Sequence, residues 1–278
     1  MLTPQQRDEF VRQGFLVIKN AFPREDALAW VRAECAHIGY DLDHPQTWAQ
    51  EYLRIPTQRQ ETLQDYAPAA WDASLALLGG PNRLANTPNI HLFAMNFRQG
   101  ADRPYQPASA QSPGWHKDGW MFRHFLDSAD QGLLGIPLFT DVLPQGGGTF
   151  VAADSVPAMA RYLAAHPEGI LPDDFDLPAI LAECRDFREL TGEAGDFFLI
   201  HPFLLHAVSQ NRLCRPRAIT NMLFALREPM CFHRTDGSEY SPVEAAILHG
   251  LGVDYYDFQP TAPRFHTPDG GPINPALR

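Results

Sequence analysis

Short apolar segments, separated by turn-forming residues, recur along the chain from about residue 90 to residue 227. They read "IHLFAMNF", "LLGIPLFTDV", "GTFVAA", "GDFFLI" and "AITNMLFAL". Segments of this kind, bounded by glycine, proline, asparagine and aspartate, are typical of strands in antiparallel sandwiches and barrels. The spacing therefore predicts a mainly β core and disfavours a parallel α/β sheet, whose strands would alternate with helices.

Helical patterns flank this β region. "LTPQQRDEF" begins with the capping residue Thr3, followed by Pro4 at the first helical position and Gln6 where a capping box places its partner. "FLVI" then predicts a short buried strand, and "PREDALAWVRAECAHIG" and "PAAWDASLALLGG" predict two helices that end at glycine. Two more helices are predicted later, in "SVPAMARYLAAHP" and "SPVEAAILHG".

No linker, repeat or low-complexity stretch divides the 278 residues. We therefore expect a single domain over residues 1–278. In this interpretation, helices of residues 1–89 pack on a β core of residues 90–227, and residues 228–278 form a C-terminal extension.

The charge balance and the cysteines exclude several classes of protein. With 22 Lys and Arg against 33 Asp and Glu, the net charge of −11 argues against nucleic acid and anionic membranes as partners. No apolar run is long enough to span a bilayer, and the N-terminus lacks the order of a secretory signal. Four scattered cysteines without a CxxC pair favour a reducing compartment. We expect a soluble, cytoplasmic protein.

The stretch "GWHKDGW" contains His116 and Asp118. In an extended strand, alternate side chains face the same way, so these two would point from one surface. An imidazole and a carboxylate can occupy two adjacent positions on a metal ion, and one more histidine completes the facial triad of non-haem Fe(II) oxygenases. An ordinary surface turn is the alternative, because His-x-Asp pairs also arise by chance.

The later stretch "GDFFLIHPFLLHAVSQNRLCRPRAITNMLF" supplies the remaining components. It contains two candidates for the third ligand, His201 and His206, and three arginines, Arg212, Arg215 and Arg217. A dicarboxylate cosubstrate beside iron needs a cation at its far end, and the planar guanidinium of arginine binds carboxylates in a bidentate manner. Each histidine is followed by an arginine eleven residues later, so the spacing leaves both pairs open.

Four segments, taken in order, resemble the phytanoyl-CoA dioxygenase family of Fe(II)- and 2-oxoglutarate-dependent oxygenases. They are "LTPQQRDEFVRQGFLVIKNAF", "WHKDG", "LPQGGGTFVAADS" and "GDFFLIHPFLLHAVSQNRLCRPRA", and they cover most of residues 2–225. The resemblance implies a double-stranded β-helix, a jelly-roll core of the cupin kind, with flanking helices. It also implies Fe(II) as cofactor, with 2-oxoglutarate and O₂ as cosubstrates.

The resemblance implies that His116, Asp118 and the second histidine of "HPFLLH", His206, bind the iron. Asp118 also bears on the type of reaction, because related halogenases carry a small residue in place of this carboxylate, so that chloride can bind. An aspartate at this position favours hydroxylation or a related C–H oxidation.

We pair His206 with Arg217 on a local argument. Arg217 immediately precedes the apolar run "AITNMLF" and is expected to be held at the start of a strand. Arg212, which follows the alternative ligand His201, lies in a polar connection where a side chain would be mobile. The resemblance points to the same pair and leaves His201 as a structural histidine.

Other residues near these motifs are candidates for contacts with the two organic ligands. Three are candidates for contacts with 2-oxoglutarate: Asn96, Thr149 and Ser209. Four that flank the metal motif are candidates for contacts with the substrate: Lys117, Trp120, Phe122 and Arg123. Each has an ordinary alternative as a turn, core or surface residue.

We therefore expect an Fe(II)- and 2-oxoglutarate-dependent dioxygenase that hydroxylates, or otherwise oxidises a C–H bond of, a small metabolite or natural product. The acidic balance disfavours a coenzyme A ester. Two alternatives are a cupin-type isomerase or hydrolase that uses a metal without 2-oxoglutarate, and a non-catalytic protein that binds small molecules. Because sheet edges in such folds are often covered by a second subunit, a homodimer is an alternative to a monomer.

Overall fold

The computed structural model describes residues 2–267. This part of the chain contains ten β-strands and seven α-helices, joined by loops and short 3-10 turns. The strands are β1 (Phe15–Ile18), β2 (Tyr52–Thr62), β3 (Asn89–Asn96), β4 (Leu133–Pro137), β5 (Thr149–Ala152), β6 (Phe187–Leu190), β7 (Phe197–Ile200), β8 (His206–Val208), β9 (Arg217–Ile219) and β10 (Met222–Phe224). The helices are α1 (Pro4–Gln13), α2 (Arg24–His37), α3 (Leu63–Tyr66), α4 (Pro68–Leu78), α5 (Ser155–Ala164), α6 (Leu177–Ala182) and α7 (Pro242–Leu251).

The strands described pair in antiparallel fashion, as predicted. Strands β1, β7, β4 and β10 form one sheet in this order, β2, β3 and β9 form another, and a bridge between Leu138 and Ile219 joins the two. Strands β6, β5 and β8 form the opposing sheet. Ile136 and Phe198 from one side and Leu190 from the other line the same interior pocket. This arrangement confirms the expected mainly β fold with a jelly-roll core.

The N-terminal residues supply strands as well as helices. In the predicted capping box of α1, the Thr3 hydroxyl accepts a hydrogen bond from the Gln6 amide, and the Gln6 side chain accepts one from the Thr3 amide. After α1, the predicted short strand β1 pairs with β7 at the edge of its sheet, and its first two residues are buried. The eleven-residue β2 was not predicted, because its pairing with β3 shifts register between Pro56 and Glu61 and its exposed residues obscure the alternation.

Aromatic side chains attach α2 to the sheet that contains β3. Trp30 lies edge-on to Phe93 of β3, at 5.3 Å between ring centroids, and to Phe139, at 5.7 Å. All three rings are buried, and burial of a large apolar side chain contributes about 1.5–3 kcal/mol. The contact fixes β3, whose last residue, Asn96, lies opposite Arg217 of β9.

The two helices predicted after the β core begins are confirmed as α5 and α7, and they pack against each other. The contact is close, since a Cβ atom on Gly250 of α7 would lie 2.7 Å from the Cα atom of Pro157 in α5. None of the helices within residues 2–267 has both the length and the apolar character needed to cross a bilayer.

Candidate active site

Three side chains from the two metal motifs converge at one point. The Nε2 atom of His116 lies 3.5 Å from one carboxylate oxygen of Asp118, and the Nε2 atom of His206 lies 3.5 Å from the other. One ligand atom from each residue lies within 4.8 Å of the other two. This spacing suits three donors on one face of a single metal ion, with the opposite positions left open.

The backbone that carries His116 is not the regular strand expected from the sequence. His116 forms an isolated antiparallel bridge with His206, in which each amide donates to the other's carbonyl, at 3.0 and 3.1 Å. Gly114 and Gly119, with φ of 82° and 118°, interrupt the extended conformation on both sides. Asp118 therefore reaches the two histidines from a turn, whereas His206 is held at the start of β8.

Hydrogen bonds orient both imidazoles for metal binding. The Nδ1 atom of His116 donates to the Gly114 carbonyl at 2.8 Å, and that of His206 donates to the Leu204 carbonyl at 3.0 Å. This arrangement leaves each Nε2 atom with a free lone pair directed at Asp118. Backbone carbonyls that hold the second ring nitrogen in this way are characteristic of histidine metal ligands.

The charges of the three groups are coupled. Burial alone would raise the pKa of Asp118, but the nearby charge of His206 and the imidazole of His116 hold that pKa well below its usual range. Burial works against protonation of His116, yet the hydrogen bond and charge of Asp118 outweigh it and raise the pKa of the imidazole. A divalent cation would replace these protons as the positive partner of the carboxylate.

The structure brings His206, and not His201, to this cluster. His201 is buried among apolar residues, and burial lowers its pKa to about 3. Both of its ring nitrogens are engaged elsewhere: Nδ1 accepts from the Phe203 amide at 3.0 Å, and Nε2 donates to the Val243 carbonyl at 3.1 Å. His201 therefore connects the chain before β8 to α7, as a structural histidine.

Arg217 lies in the interior of the protein, with 1% of its surface exposed. Its Nε atom donates to the Gly147 carbonyl at 2.7 Å, and Nη1 donates to the Ala94 carbonyl at 3.4 Å. Its Nη2 atom is buried and has no hydrogen-bond partner within residues 2–267. Burial lowers the pKa of this guanidinium to about 10, because a buried charge is unfavourable unless a counter-charge accompanies it.

Arg217 lines a narrow interior pocket, together with Thr149 and otherwise apolar side chains and glycine. The pocket adjoins the metal cluster through the pairing of β5 with β8. In this pairing Val151 lies opposite His206, and Thr149 lies opposite Val208, so these four residues share one face of the sheet. Thr149 and Arg217, both expected to bind the cosubstrate, thus line one cavity, and Thr149 lies on the same face of the sheet as His206.

The glycine-rich segment before β5 supports Arg217, a role that the sequence did not reveal. Gly147 has a φ of 83°, and a Cβ atom there would lie 2.9 Å from Nδ2 of Asn96 and 3.1 Å from Cβ of Asn211. Asn211 is fully buried and donates to the carbonyls of Asn96 and Arg215, at 2.8 and 2.7 Å. The three consecutive glycines signal a backbone constraint, but nothing in the sequence marks Asn211.

The other two cosubstrate candidates lie near the pocket with their polar groups already paired. Asn96 is fully buried, and its side chain donates to the Ser209 carbonyl at 3.3 Å and accepts from the Gln99 amide at 3.0 Å. The Ser209 hydroxyl donates to Glu189 at 3.1 Å, on the opposite face of β8 from His206. Both residues therefore contact the backbone and side chains that surround Arg217.

The four residues expected to contact substrate occupy different environments. Trp120 is 46% exposed, whereas Phe122 is fully buried against His124. Arg123 is partly buried, with its Nε atom lacking a partner among the described residues. The amine of Lys117 turns away from the metal cluster into the protein, and burial lowers its pKa to about 7.

A jelly-roll core in which two histidines and a carboxylate converge is the arrangement of the non-haem iron proteins with a 2-His-1-carboxylate site. A model of the phytanoyl-CoA dioxygenase (PhyH) family matches residues 10–219. The chain belongs to this family of Fe(II)- and 2-oxoglutarate-dependent oxygenases, as its motifs predicted. The expected iron, 2-oxoglutarate and O₂ are the cofactor and cosubstrates of the family.

Solved structures with a similar fold share little sequence with this chain. The epimerase SnoN from nogalamycin biosynthesis, in complex with Fe3+, alpha ketoglutarate and nogalamycin RO, is 14% identical over 85% of this chain and 91% of that chain, with a TM-score of 0.47. EctD from S. alaskensis with 2-oxoglutarate and 5-hydroxyectoine is 17% identical over 98% and 89%, with a TM-score of 0.45. HygX from Streptomyces hygroscopicus with nickel and 2-oxoglutarate bound is 17% identical over 81% and 87%, with a TM-score of 0.45. No curated protein matches the sequence.

The side chains present fit both iron and 2-oxoglutarate. Nε2 of His206 and Nη2 of Arg217 are buried polar atoms without hydrogen-bond partners among residues 2–267, and such atoms are normally satisfied in folded proteins. A metal ion would satisfy the first and a carboxylate the second.

Proposed function

We propose that this protein is an Fe(II)- and 2-oxoglutarate-dependent hydroxylase that oxidises a C–H bond of a small metabolite or natural product. In this proposal His116, Asp118 and His206 hold the iron, and Arg217 binds the distal carboxylate of 2-oxoglutarate. The observation that carries it is the buried guanidinium of Arg217, which has an unpaired N–H beside a pocket that adjoins three converging metal ligands. A metal site that worked without a dicarboxylate would leave this N–H without an anionic partner.

In this proposal, one set of side chains binds the metal ion and another orients the cosubstrate. Asp118 supplies the negative ligand and the two imidazoles supply neutral ones, so the protein neutralises part of the charge of the ion. Arg217 fixes the far end of the cosubstrate, and a bidentate contact of this kind also sets its direction. When bound, iron and 2-oxoglutarate together supply the activation of O₂ that amino-acid side chains cannot.

The surroundings of the site have two further effects on the reaction. Apolar walls on the pocket exclude water, which keeps the reaction away from the solvent and strengthens the pairing of Arg217 with an anion. The carboxylate of Asp118 would occupy, on a bound metal ion, the position that a halide would need. This supports hydroxylation or a related C–H oxidation as the outcome.

We place the substrate on the exposed side of the metal cluster. The side chain of His116 is 43% exposed, and Trp120 nearby is 46% exposed, whereas His206 is almost fully buried. A substrate approaching from this side would meet the indole of Trp120, with Arg123 as the candidate for a polar contact. The net charge of −11 supports a small free metabolite over a polyanionic coenzyme A ester.

The test is the formation of succinate from 2-oxoglutarate with Fe(II), ascorbate and O₂, measured without substrate and then with a library of small metabolites. We expect slow succinate formation in the absence of substrate and faster formation with the correct substrate. His206→Ala should abolish it, whereas His91→Ala, which removes an exposed histidine of β3, should not.

Arg217 separates the proposed function from a metal enzyme that does not use 2-oxoglutarate. Arg217→Ala should chiefly raise the 2-oxoglutarate concentration needed for half-maximal succinate formation, and should leave metal binding intact. If the native protein bound metal but neither bound nor consumed 2-oxoglutarate, the hydroxylase proposal would be wrong and a cupin-type isomerase or hydrolase would be supported.

A further inference from the structure

A buried polar cluster lies directly behind the metal-binding loop. The Nζ atom of Lys117 donates to Nδ1 of His124 at 2.8 Å and to the side-chain oxygen of Gln131 at 3.2 Å. It also lies 3.3 Å from the carbonyl oxygen of Asp118. Lys117 thus points away from the two metal ligands beside it in the sequence, and contacts the backbone of one of them from behind.

His124 contacts the next peptide group of the same loop. Its Nε2 atom donates to the Gly119 carbonyl at 2.9 Å, which leaves Nδ1 to accept from Lys117. Two consecutive carbonyls, those of Asp118 and Gly119, are therefore held by one amine and one imidazole. On the other side of the loop, the backbone bridge between His116 and His206 fixes the chain just before Asp118.

The imidazole of His124 is itself rigidly placed. Its backbone exchanges hydrogen bonds with Ile170 at 2.8 and 2.9 Å, and its ring is fully buried between Phe122 and Phe175. The loop fits closely on this ring, because a Cβ atom on Gly119 would lie 2.6 Å from Cε1 of His124. The turn that carries Asp118 therefore packs directly on the buried ring of His124.

The buried amine of Lys117 is not a feature that selection for stability alone would favour. Within residues 2–267, Lys117 forms no ion pair with a carboxylate, and the rings of Phe122 and Phe203 lie 5.5 and 5.8 Å from its amine. Burying an amine in such surroundings costs free energy that an apolar side chain of similar length would not.

We propose that Lys117 and His124 are positioning residues that hold the carboxylate of Asp118 in the direction required for metal binding. The inference rests on the metal site proposed above. In it, Lys117 stabilises the conformation of the loop that carries Asp118 and does not contact the substrate. Removal of outer contacts of this kind typically weakens metal affinity 10–100-fold.

The test uses Co(II) as the probe, titrated anaerobically and followed by its visible absorption, which depends on ligand geometry. Lys117→Met should weaken Co(II) binding about 10–100-fold and change the spectrum, while the stability of the metal-free protein stays the same or rises. Lys117→Gln, which keeps a donor, should restore part of the affinity. Lys19→Met removes the other lysine of the chain, an exposed residue paired with Asp196, and should match the native protein in Co(II) affinity and spectrum.

Three results would overturn the proposal in distinguishable ways. Native affinity and spectrum in Lys117→Met would show that the cluster does not orient Asp118. A loss of affinity that merely followed a loss of stability in the metal-free protein would show a structural role alone. Native Co(II) affinity in Asp118→Ala would instead overturn the metal site itself, and with it the proposed function.

Discussion

Gly147 occupies a position where any side chain would displace two buried asparagines. Its carbonyl accepts from Arg217, so a shift of this residue moves the guanidinium as well. We predict that Gly147→Ala lowers the free energy of unfolding by roughly 1–2 kcal/mol for the left-handed backbone and roughly 1–3 kcal/mol more for overpacking. It should also raise the 2-oxoglutarate concentration needed for succinate formation. Denaturant unfolding and steady-state kinetics measure the two effects.

Gly39 provides the matched control, because its φ of 80° is nearly that of Gly147 and nothing lies within 4 Å of its Cβ position. Gly39→Ala should therefore show the backbone cost alone, with the 2-oxoglutarate requirement unchanged. Equal losses of stability in the two variants would contradict the close packing of Asn96 and Asn211 around Gly147.

At the level of elements, the N-terminus of α7 is tied to the rest of the fold by one buried carboxylate. Glu244 is fully buried and receives hydrogen bonds from Arg83 and Arg234, at 3.0 and 2.6 Å, and from Ser241 in a capping box. We predict that Glu244→Ala lowers the free energy of unfolding by about 3–5 kcal/mol, because it leaves two guanidinium groups without their anion. Denaturant titration of the two proteins measures the difference.

The comparison is with Glu183, whose ion pair with Arg161 is about half exposed on both sides. Glu183→Ala should change stability by less than about 1 kcal/mol, because exposed ion pairs are screened by solvent. A small effect of Glu244→Ala, similar to that of Glu183→Ala, would mean that α7 is held by apolar packing and not by this carboxylate.

The elements that the sequence predicted correctly are those defined by local signals. The cap at Thr3 and the apolar segment "GDFFLI" contain within themselves the information that makes α1 and β7. Strands β2 and β6 were missed because their pairing partners, far away in the chain, determine their conformation. Tertiary pairing overrides weak local preference in such segments.

The residues of the candidate site also fall into those that the sequence could predict and those that it could not. Residue types and spacing indicated His116 and Asp118 as metal ligands but left His201 and His206 open as the third. The family resemblance and the position of Arg217 before an apolar run selected His206, which the structure brings to the other two. The supporting residues Asn211 and His124 could not be predicted, because a buried asparagine or histidine acquires its role from the backbone that folds around it. The side-chain direction of Lys117 was equally hidden, since it depends on the turn at Gly119.

Over the whole molecule, ligand binding couples the site to global stability. A ligand at 100 times its Kd, with no affinity for the unfolded chain, adds about 2.7 kcal/mol to the free energy of unfolding. We predict this increase with Mn(II), and a further increase when 2-oxoglutarate is added to the Mn(II) form. Denaturant unfolding in the presence of each ligand measures both increments.

Two variants separate the increments. Asp118→Ala should lose both, because 2-oxoglutarate would bind through the metal, whereas Arg217→Met should keep the increment from Mn(II) and lose most of that from 2-oxoglutarate. Equal stabilisation of Asp118→Ala and the native protein by 2-oxoglutarate would contradict a shared site.

The four cysteines allow the same coupling to be measured without denaturant. Cys214 and Cys231 are exposed, whereas Cys35 and Cys184 are buried and burial raises the pKa of each to about 12. Because the thiolate is the reactive form, iodoacetamide at pH 8 should modify the exposed pair quickly and the buried pair only through unfolding.

Mn(II) at 100 times its Kd should then slow modification of Cys35 and Cys184 about 100-fold, as followed by mass spectrometry, and leave Cys214 and Cys231 unaffected. Unchanged modification of the buried pair would mean that these thiols become accessible by local opening that the metal site does not influence.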